Sequence, residues 1–202
     1  MKKIAIALMC TILATGAAMA QKQFTFGPKF GVDYTHYWGK NVEHGGQFNY
    51  QAGLFMEYRF TDQFAIAPEV VFAAQGGKYD TSILGVEFKE TDHVNYINVP
   101  VMMKFYVIPD LSIDFGPQVG FNVYSKNTTE AKVGSESGKK TTDMKDFTNS
   151  VDFGLGLGLT YNIAKDVFVQ GRYTMGMTNV FKSGDYKEAK NGNAQIAIGY
   201  RF

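Results

Sequence analysis

Ser150-Val151-Asp152-Phe153-Gly154-Leu155-Gly156-Leu157-Gly158-Leu159-Thr160-Tyr161-Asn162 alternates residue by residue. The side chains of a strand repeat every two residues, so Val151, Phe153, Leu155, Leu157 and Leu159 share one face while Asp152, Gly154, Gly156 and Gly158 share the other. The run exceeds the usual soluble strand of about 5 to 6 residues and reaches the roughly 9 to 11 that a tilted membrane strand needs.

Seven further segments alternate in the same way: Phe24 to Trp38, Phe48 to Phe60, Phe64 to Gln75, Val94 to Val107, Ser112 to Tyr124, Val167 to Met177 and Ala194 to Phe202. One face of each is aromatic or aliphatic, as in Phe26, Phe30 and Val32, or Ile97, Val99 and Val101, or Ile196, Ile198 and Tyr200. No Lys, Arg, Asp or Glu interrupts it. The opposite face holds Lys29, Arg59, Lys104, Arg172 and Arg201 with Asp33, Glu57, Glu69, Asp114 and Asp152. Five positive charges thus meet five negative ones.

Alternation alone leaves open which face is interior, because a lipocalin-like barrel alternates with its apolar face inward around a ligand. Glycine separates the two cases. Gly27, Gly31, Gly53, Gly116, Gly120, Gly154, Gly156, Gly158 and Gly199 all lie on the polar face. That suits a narrow lumen making room for Arg, Lys and Tyr, and would serve little purpose on a water-facing surface. The connections alternate too. Thr61 to Gln63, Ile108 to Leu111 and Ile163 to Asp166 are short, whereas Gly39 to Gln47, Gly76 to His93, Ser125 to Asn149 and Thr178 to Asn193 are longer. Short periplasmic turns and long external loops are the pattern of outer-membrane barrels. The expectation is an all-β, eight-stranded antiparallel up-and-down transmembrane barrel over residues 21–202.

Residues 1–20 read as a cleaved secretory signal: basic Lys2 and Lys3, an apolar core from Ile4 to Leu13, and Ala18-Met19-Ala20 before Gln21. The one cysteine, Cys10, falls inside it, so no disulfide, thiolate metal site or cysteine nucleophile is expected after processing. Loss of Lys2 and Lys3 takes the 20 Lys and Arg to 18 against 19 Asp and Glu, a balance unsuited to nucleic acid. Beyond the signal no apolar run approaches the roughly 20 residues of a membrane helix, so any crossing must use a closed barrel.

Two bands of aromatic residues fit interfacial girdles: Tyr34, Trp38, Phe48, Tyr50 and Phe72 near one edge, and Phe60, Phe64, Phe115, Tyr161 and Phe202 near the other. Proline needs its own account, because it has no N–H for the ladder. Pro100 is expected at a bulge or a local break, and Pro28, Pro68 and Pro117 raise the same difficulty.

Tyr96-Ile97-Asn98-Val99-Pro100-Val101-Met102-Met103-Lys104-Phe105-Tyr106 resembles the fourth-strand motif of the PorT-like outer-membrane β-barrel family of Bacteroidota. Phe26-Gly27-Pro28-Lys29-Phe30-Gly31, Phe115-Gly116-Pro117-Gln118-Val119-Gly120 and Ile198-Gly199-Tyr200-Arg201-Phe202 are similar to that family as well. The resemblance implies an eight-stranded barrel whose members share no activity-defining residues. The family's namesake implies a link to protein secretion. Phe202, two residues after Tyr200, also resembles the C-terminal signal read by the barrel-assembly machinery.

Catalysis would need a general base near the outer rim beside a nucleophile. His36, His44 and His93 lie near outer ends, but the residues two positions on are Trp38, Gly46 and Asn95, so the His-x-Ser spacing of lipid-modifying barrel enzymes is absent. His44, His93 and Asp92 have no repeating ligand spacing for a metal. No catalytic, cofactor-binding or metal residue is therefore predicted, and no cofactor. The expected partners are outer-membrane lipids and lipopolysaccharide, the assembly machinery through Phe202, and a protein at the external loops, best placed at Ser125 to Asn149, which reads as a solvated surface. The expected role is that of a monomeric, non-enzymatic barrel in the bacterial outer membrane, with a plugged lumen and a structural or loop-mediated function such as secretion or adhesion. The alternative is a narrow pore; the plugged barrel is favoured over it because an eight-stranded interior is just wide enough to be filled by side chains.

Overall fold

The computed structural model describes residues 24–39, 45–83, 86–133, 136–182 and 188–202. Residues 1–20, read above as a secretory signal, and His44 lie outside them. Ten strands follow in order: β1 (Phe24–Trp38), β2 (Gln47–Arg59), β3 (Phe64–Ala73), β4 (Lys78–Ile83), β5 (Val86–Ile108), β6 (Leu111–Val133), β7 (Glu136–Asp143), β8 (Val151–Asn162), β9 (Val167–Gly176) and β10 (Lys190–Tyr200). Eight of them form a closed antiparallel ring, β1-β2-β3-β5-β6-β8-β9-β10, sealed by β1 against β10 from Lys29↔Gly199 to Trp38↔Lys190. Closure leaves the barrel no edge strand.

Short turns join β2 to β3, β5 to β6 and β8 to β9 at one end. At the first, the Thr61 hydroxyl accepts from the backbone N–H groups of Gln63 and Phe64 at 3.3 and 3.0 Å, which lets four residues reverse the chain. The opposite end departs from expectation. β5 and β6 each run 23 residues, and β4 and β7 pair on their upper halves, so much of Gly76 to His93 and of Ser125 to Asn149 is an outer sheet in the order β4-β5-β6-β7. The upper strands interrupt short apolar positions such as Phe88 and Ala131 with charged ones, so a search for a long apolar face passes over them. Cross-strand polar pairs mark them instead: Glu130 faces Lys139 with a 2.9 Å ion pair, and the hydroxyls of Thr128 and Thr141 lie 3.4 Å apart. Lys139, by hydrogen bond and charge, holds the Glu130 carboxyl below its usual range.

The prolines break the ladder without shifting it. The β3–β5 pairing reaches Pro68↔Val101 and resumes at Val71↔Asn98 in the same register, with Pro100 inside the gap. The β2–β3 pairing skips Pro68, and the β5–β6 pairing skips Pro117, in the same way. Of the two expected devices, a bulge or a break, Pro100 uses the break. The irregularities of β5–β6 fall elsewhere, at Asn95/Tyr96 and Tyr106/Ile108.

Every one of the ten strand charges points inward. Nine are buried, and Arg59 is partly exposed at the short-turn mouth. Outward stand Phe30, Leu54, Leu157 and Ile196, each more than half exposed. Aromatic contacts mark both rims: Tyr34 with Phe48 at 5.4 Å near the long-loop end, and Phe26 with Phe202 at 5.6 Å near the other.

Candidate functional site

The lumen is filled in layers. At the short-turn mouth Glu57 accepts hydrogen bonds from Lys104 Nζ (3.0 Å) and the Tyr106 hydroxyl (2.5 Å), and lies 3.5 and 3.7 Å from the guanidinium nitrogens of Arg59 and Arg201. Against this cluster Phe55 and Phe168 meet edge to face with centroids 5.0 Å apart.

The middle layer is a polar network drawn from five strands. Glu69 on β3 receives a bidentate pair from Arg172 on β9 (2.6 and 3.1 Å) and a 2.5 Å bond from Lys29 on β1. Lys29 also donates to Gln170, which in turn donates to Asp114 on β6. Asp114 takes two further bonds, from Ser112 and from Thr160 on β8. Period-two geometry brings these groups together, since each sits at an inward position of β1, β3, β6, β8 or β9, strands tilted around one axis.

The outer layer differs in charge. Asp33 accepts from Gln51, itself bonded to Gln195. Asp152 accepts from Thr178 and Asn191. Among the described residues neither carboxylate has a cation within salt-bridge distance. The five-to-five balance is thus split along the axis, with five cations and three carboxylates in the inner and middle layers and two carboxylates alone in the outer one.

The outer mouth is closed by an apolar cluster of Tyr37, Val94, Tyr96, Val180, Phe181 and Ala189, with Met144 packed against it. Val180, Phe181 and Ala189 of this cluster come from Thr178 to Asn193, expected above only as a long external loop. The Val180 backbone bonds to Ala189 at 2.7 Å and to Asn149 at 2.8 Å, and the Phe181 ring meets Tyr37 edge to face at 5.6 Å. Two consecutive apolar residues in a polar stretch were the available signal.

The lumenal glycines serve two purposes, one of them unforeseen. A Cβ on Gly199 would run into the Phe168 ring, and one on Gly156 would stand 3.2 Å from Met102, which is the expected clearance for side chains. At Gly27, Gly53 and Gly158 the obstacle is a neighbouring strand's carbonyl oxygen, so there glycine allows the sheet to coil tightly.

The histidines do not converge. His36 lies in the outward aromatic band with its ring stacked on Tyr173 at 6.2 Å, and His93 is exposed on β5. Asp92, beside His93 in sequence, points the other way and is buried, accepting from Asn127 at 2.9 Å. Of His44, His93 and Asp92, set aside as metal ligands on their spacing, the two described members lie on opposite faces of one strand.

The family model described as "Outer membrane protein beta-barrel domain" matches residues 19–182. No curated protein matches the chain. Among solved structures, Ail, the attachment invasion locus protein of Yersinia pestis, is similar at 11% identity and a TM-score of 0.46, covering 89% of this chain and 99% of its own. Neisserial surface protein A gives 12% identity and a TM-score of 0.44 over 89% and 97%. A de novo designed transmembrane β-barrel gives 14% and 0.43 over 90% and 98%.

Proposed function

The chain belongs to the outer membrane protein β-barrel domain family and resides in the bacterial outer membrane, and from that premise we propose that it is a non-enzymatic, non-conducting barrel that acts through its external surface. One observation carries the reading. The lumen is packed from the Glu57 cluster to the Val180–Phe181 cap, while β4, β5, β6 and β7 project a sheet beyond the barrel. A filled interior has no path for solute, so the surface available for function is the projecting one. Its role is structural or interactive, by surface adhesion or by support of a secretion apparatus, the latter favoured by the PorT-like motif of Tyr96 to Tyr106. The exposed Phe202, edge to face with Tyr200 at 5.1 Å, supports a reading of the C-terminus by the assembly machinery. The outward aromatic bands face the acyl chains of outer-membrane lipids, lipopolysaccharide included.

The test compares two variants in a strain lacking its own copy. Replacing residues 127–142 by a short turn removes the β6–β7 hairpin, whereas Lys29→Met with Glu69→Leu and Arg172→Met alters only the lumen. With both variants folded, as read by altered gel migration without heating, loss of secretion or adhesion should follow the hairpin change and not the lumen change. The reverse assignment would overturn the proposal. A narrow pore is the second reading, favoured by the polar, axially split charge of the lumen, and it predicts that the lumen variant is the defective one.

A further inference from the structure

We infer that the mouth of the barrel on the short-turn side binds a small oxyanion, a carboxylate or phosphate group, on the side-on fork of Arg201. The site is a pocket lined by Glu57, Arg59, Asp110, Asn162, Lys165 and Arg201 among others. Arg201 is held at three points. Its backbone N–H donates to Asp166 at 2.7 Å, its Nη1 donates to Asn162 Oδ1 at 2.6 Å, and its guanidinium lies 4.7 Å over the Phe168 ring. What remains is the edge formed by Nε and Nη2. Both atoms are buried and have no hydrogen-bond partner among the described residues, and the residue as a whole is 8% exposed.

That edge is the one a guanidinium offers to a carboxylate or phosphate through two parallel N–H···O bonds. Glu57 is near it, 3.7 Å from Nη2, but both Glu57 oxygens are already held by the shorter bonds from Lys104 and Tyr106. One carboxylate therefore serves three cations, Lys104, Arg59 and Arg201. Asp114, 4.0 Å from Lys104, is bonded to Ser112, Thr160 and Gln170. Arg59 stacks at 3.8 Å over Tyr106 with 30% of its side chain exposed, and Lys165 stands exposed on the rim. An incoming anion also meets opposing charge, from Glu57 and the exposed Asp110 in the pocket and from Asp62 and Asp166 on the neighbouring turns. A group with two acceptor oxygens supplies both missing bonds, and a negative charge on it is met by Arg201 with Arg59 and Lys165 close by. Because the pocket opens on the lumen side of the turns and not on the lipid-facing side, the occupant is a soluble oxyanion of the periplasm.

The test is an NMR titration of the folded barrel in zwitterionic micelles with ¹⁵N-labelled arginine. The Arg201 Nε–H resonance is followed while inorganic phosphate, acetate or chloride is added at constant ionic strength. A saturating shift with phosphate or acetate, absent with chloride, is expected. Arg59→Gln with Lys165→Gln, which leaves the buried Arg201 in place, should raise the half-saturating concentration about tenfold, the effect of losing charged hydrogen-bond partners. A response to both oxyanions that merely tracks chloride, or a half-saturation unchanged in the double variant, would overturn the inference.

Discussion

Replacing Glu69 by Gln leaves Lys29 and Arg172 buried side by side without their shared counter-ion. Glu69 accepts three charged hydrogen bonds, two from Arg172 and one from Lys29, and all three side chains are almost fully shielded from solvent. Removing one partner of such a buried group typically costs about 3 to 5 kcal/mol, since the remaining charges cannot return to water. With a urea slope near 2 kcal/mol/M, the unfolding midpoint in micelles should fall by roughly 2 M. The assay is the loss of the unheated gel mobility, or of the far-ultraviolet β signal, across a urea series. The triple change Lys29→Met, Glu69→Leu and Arg172→Met removes both signs together and should unfold at or above the wild-type midpoint, because a well-packed apolar replacement escapes the desolvation cost. A Glu69→Gln protein within about 0.5 kcal/mol of wild type would refute the argument, because the cations would then have other partners or water.

Leu157→Arg places a charge on the lipid-facing wall and should cost roughly 2 to 4 kcal/mol, whereas Gly138→Arg on the open outer hairpin should be neutral; equal folded yields in vesicles would reject the face assignment. Gly27→Ala should lower folded yield sharply, because its Cβ would overlap the Tyr200 carbonyl, while Gly138→Ala should not, a comparison read on unheated gels. Phe181→Ala opens the outer cap and should cost about 3 kcal/mol in urea unfolding, since the ring is buried against Tyr37. Lys139→Ala removes an exposed, solvent-screened ion pair with Glu130 and should leave the urea midpoint unchanged within error.

The ring of eight strands was legible because lipid and lumen impose opposite demands on alternate residues. Phe24 to Trp38 coincides with β1, and the outward set from Phe26 to Ile198 lies on the exposed face throughout. The outer sheet escaped the same logic. In water both faces of β4, β7 and the upper parts of β5 and β6 can be polar, so Glu130–Lys139 and Thr128–Thr141 read as a solvated loop until their partners are known. Charge balance was legible as a total but not as a position. Which cations meet Glu57 and which carboxylates stand apart depends on strand tilt, which brings Lys104 to Glu57 and leaves Asp33 and Asp152 with neutral donors. The cap was missed because Val180 and Phe181 are only two residues long as a signal, while the Tyr37 and Tyr96 they cover come from distant strands.

The central claim is that the lumen is a filled polar interior and not a channel. Single-channel recording of the purified barrel in planar bilayers tests it most directly. The account predicts no resolved opening steps at moderate voltage for the wild-type protein. It also predicts none for Phe181→Ala, because the layer of Lys29, Glu69 and Arg172 still closes the path below the cap. Stable, reproducible steps in the wild-type protein that change when Glu69 and Arg172 are substituted would contradict it.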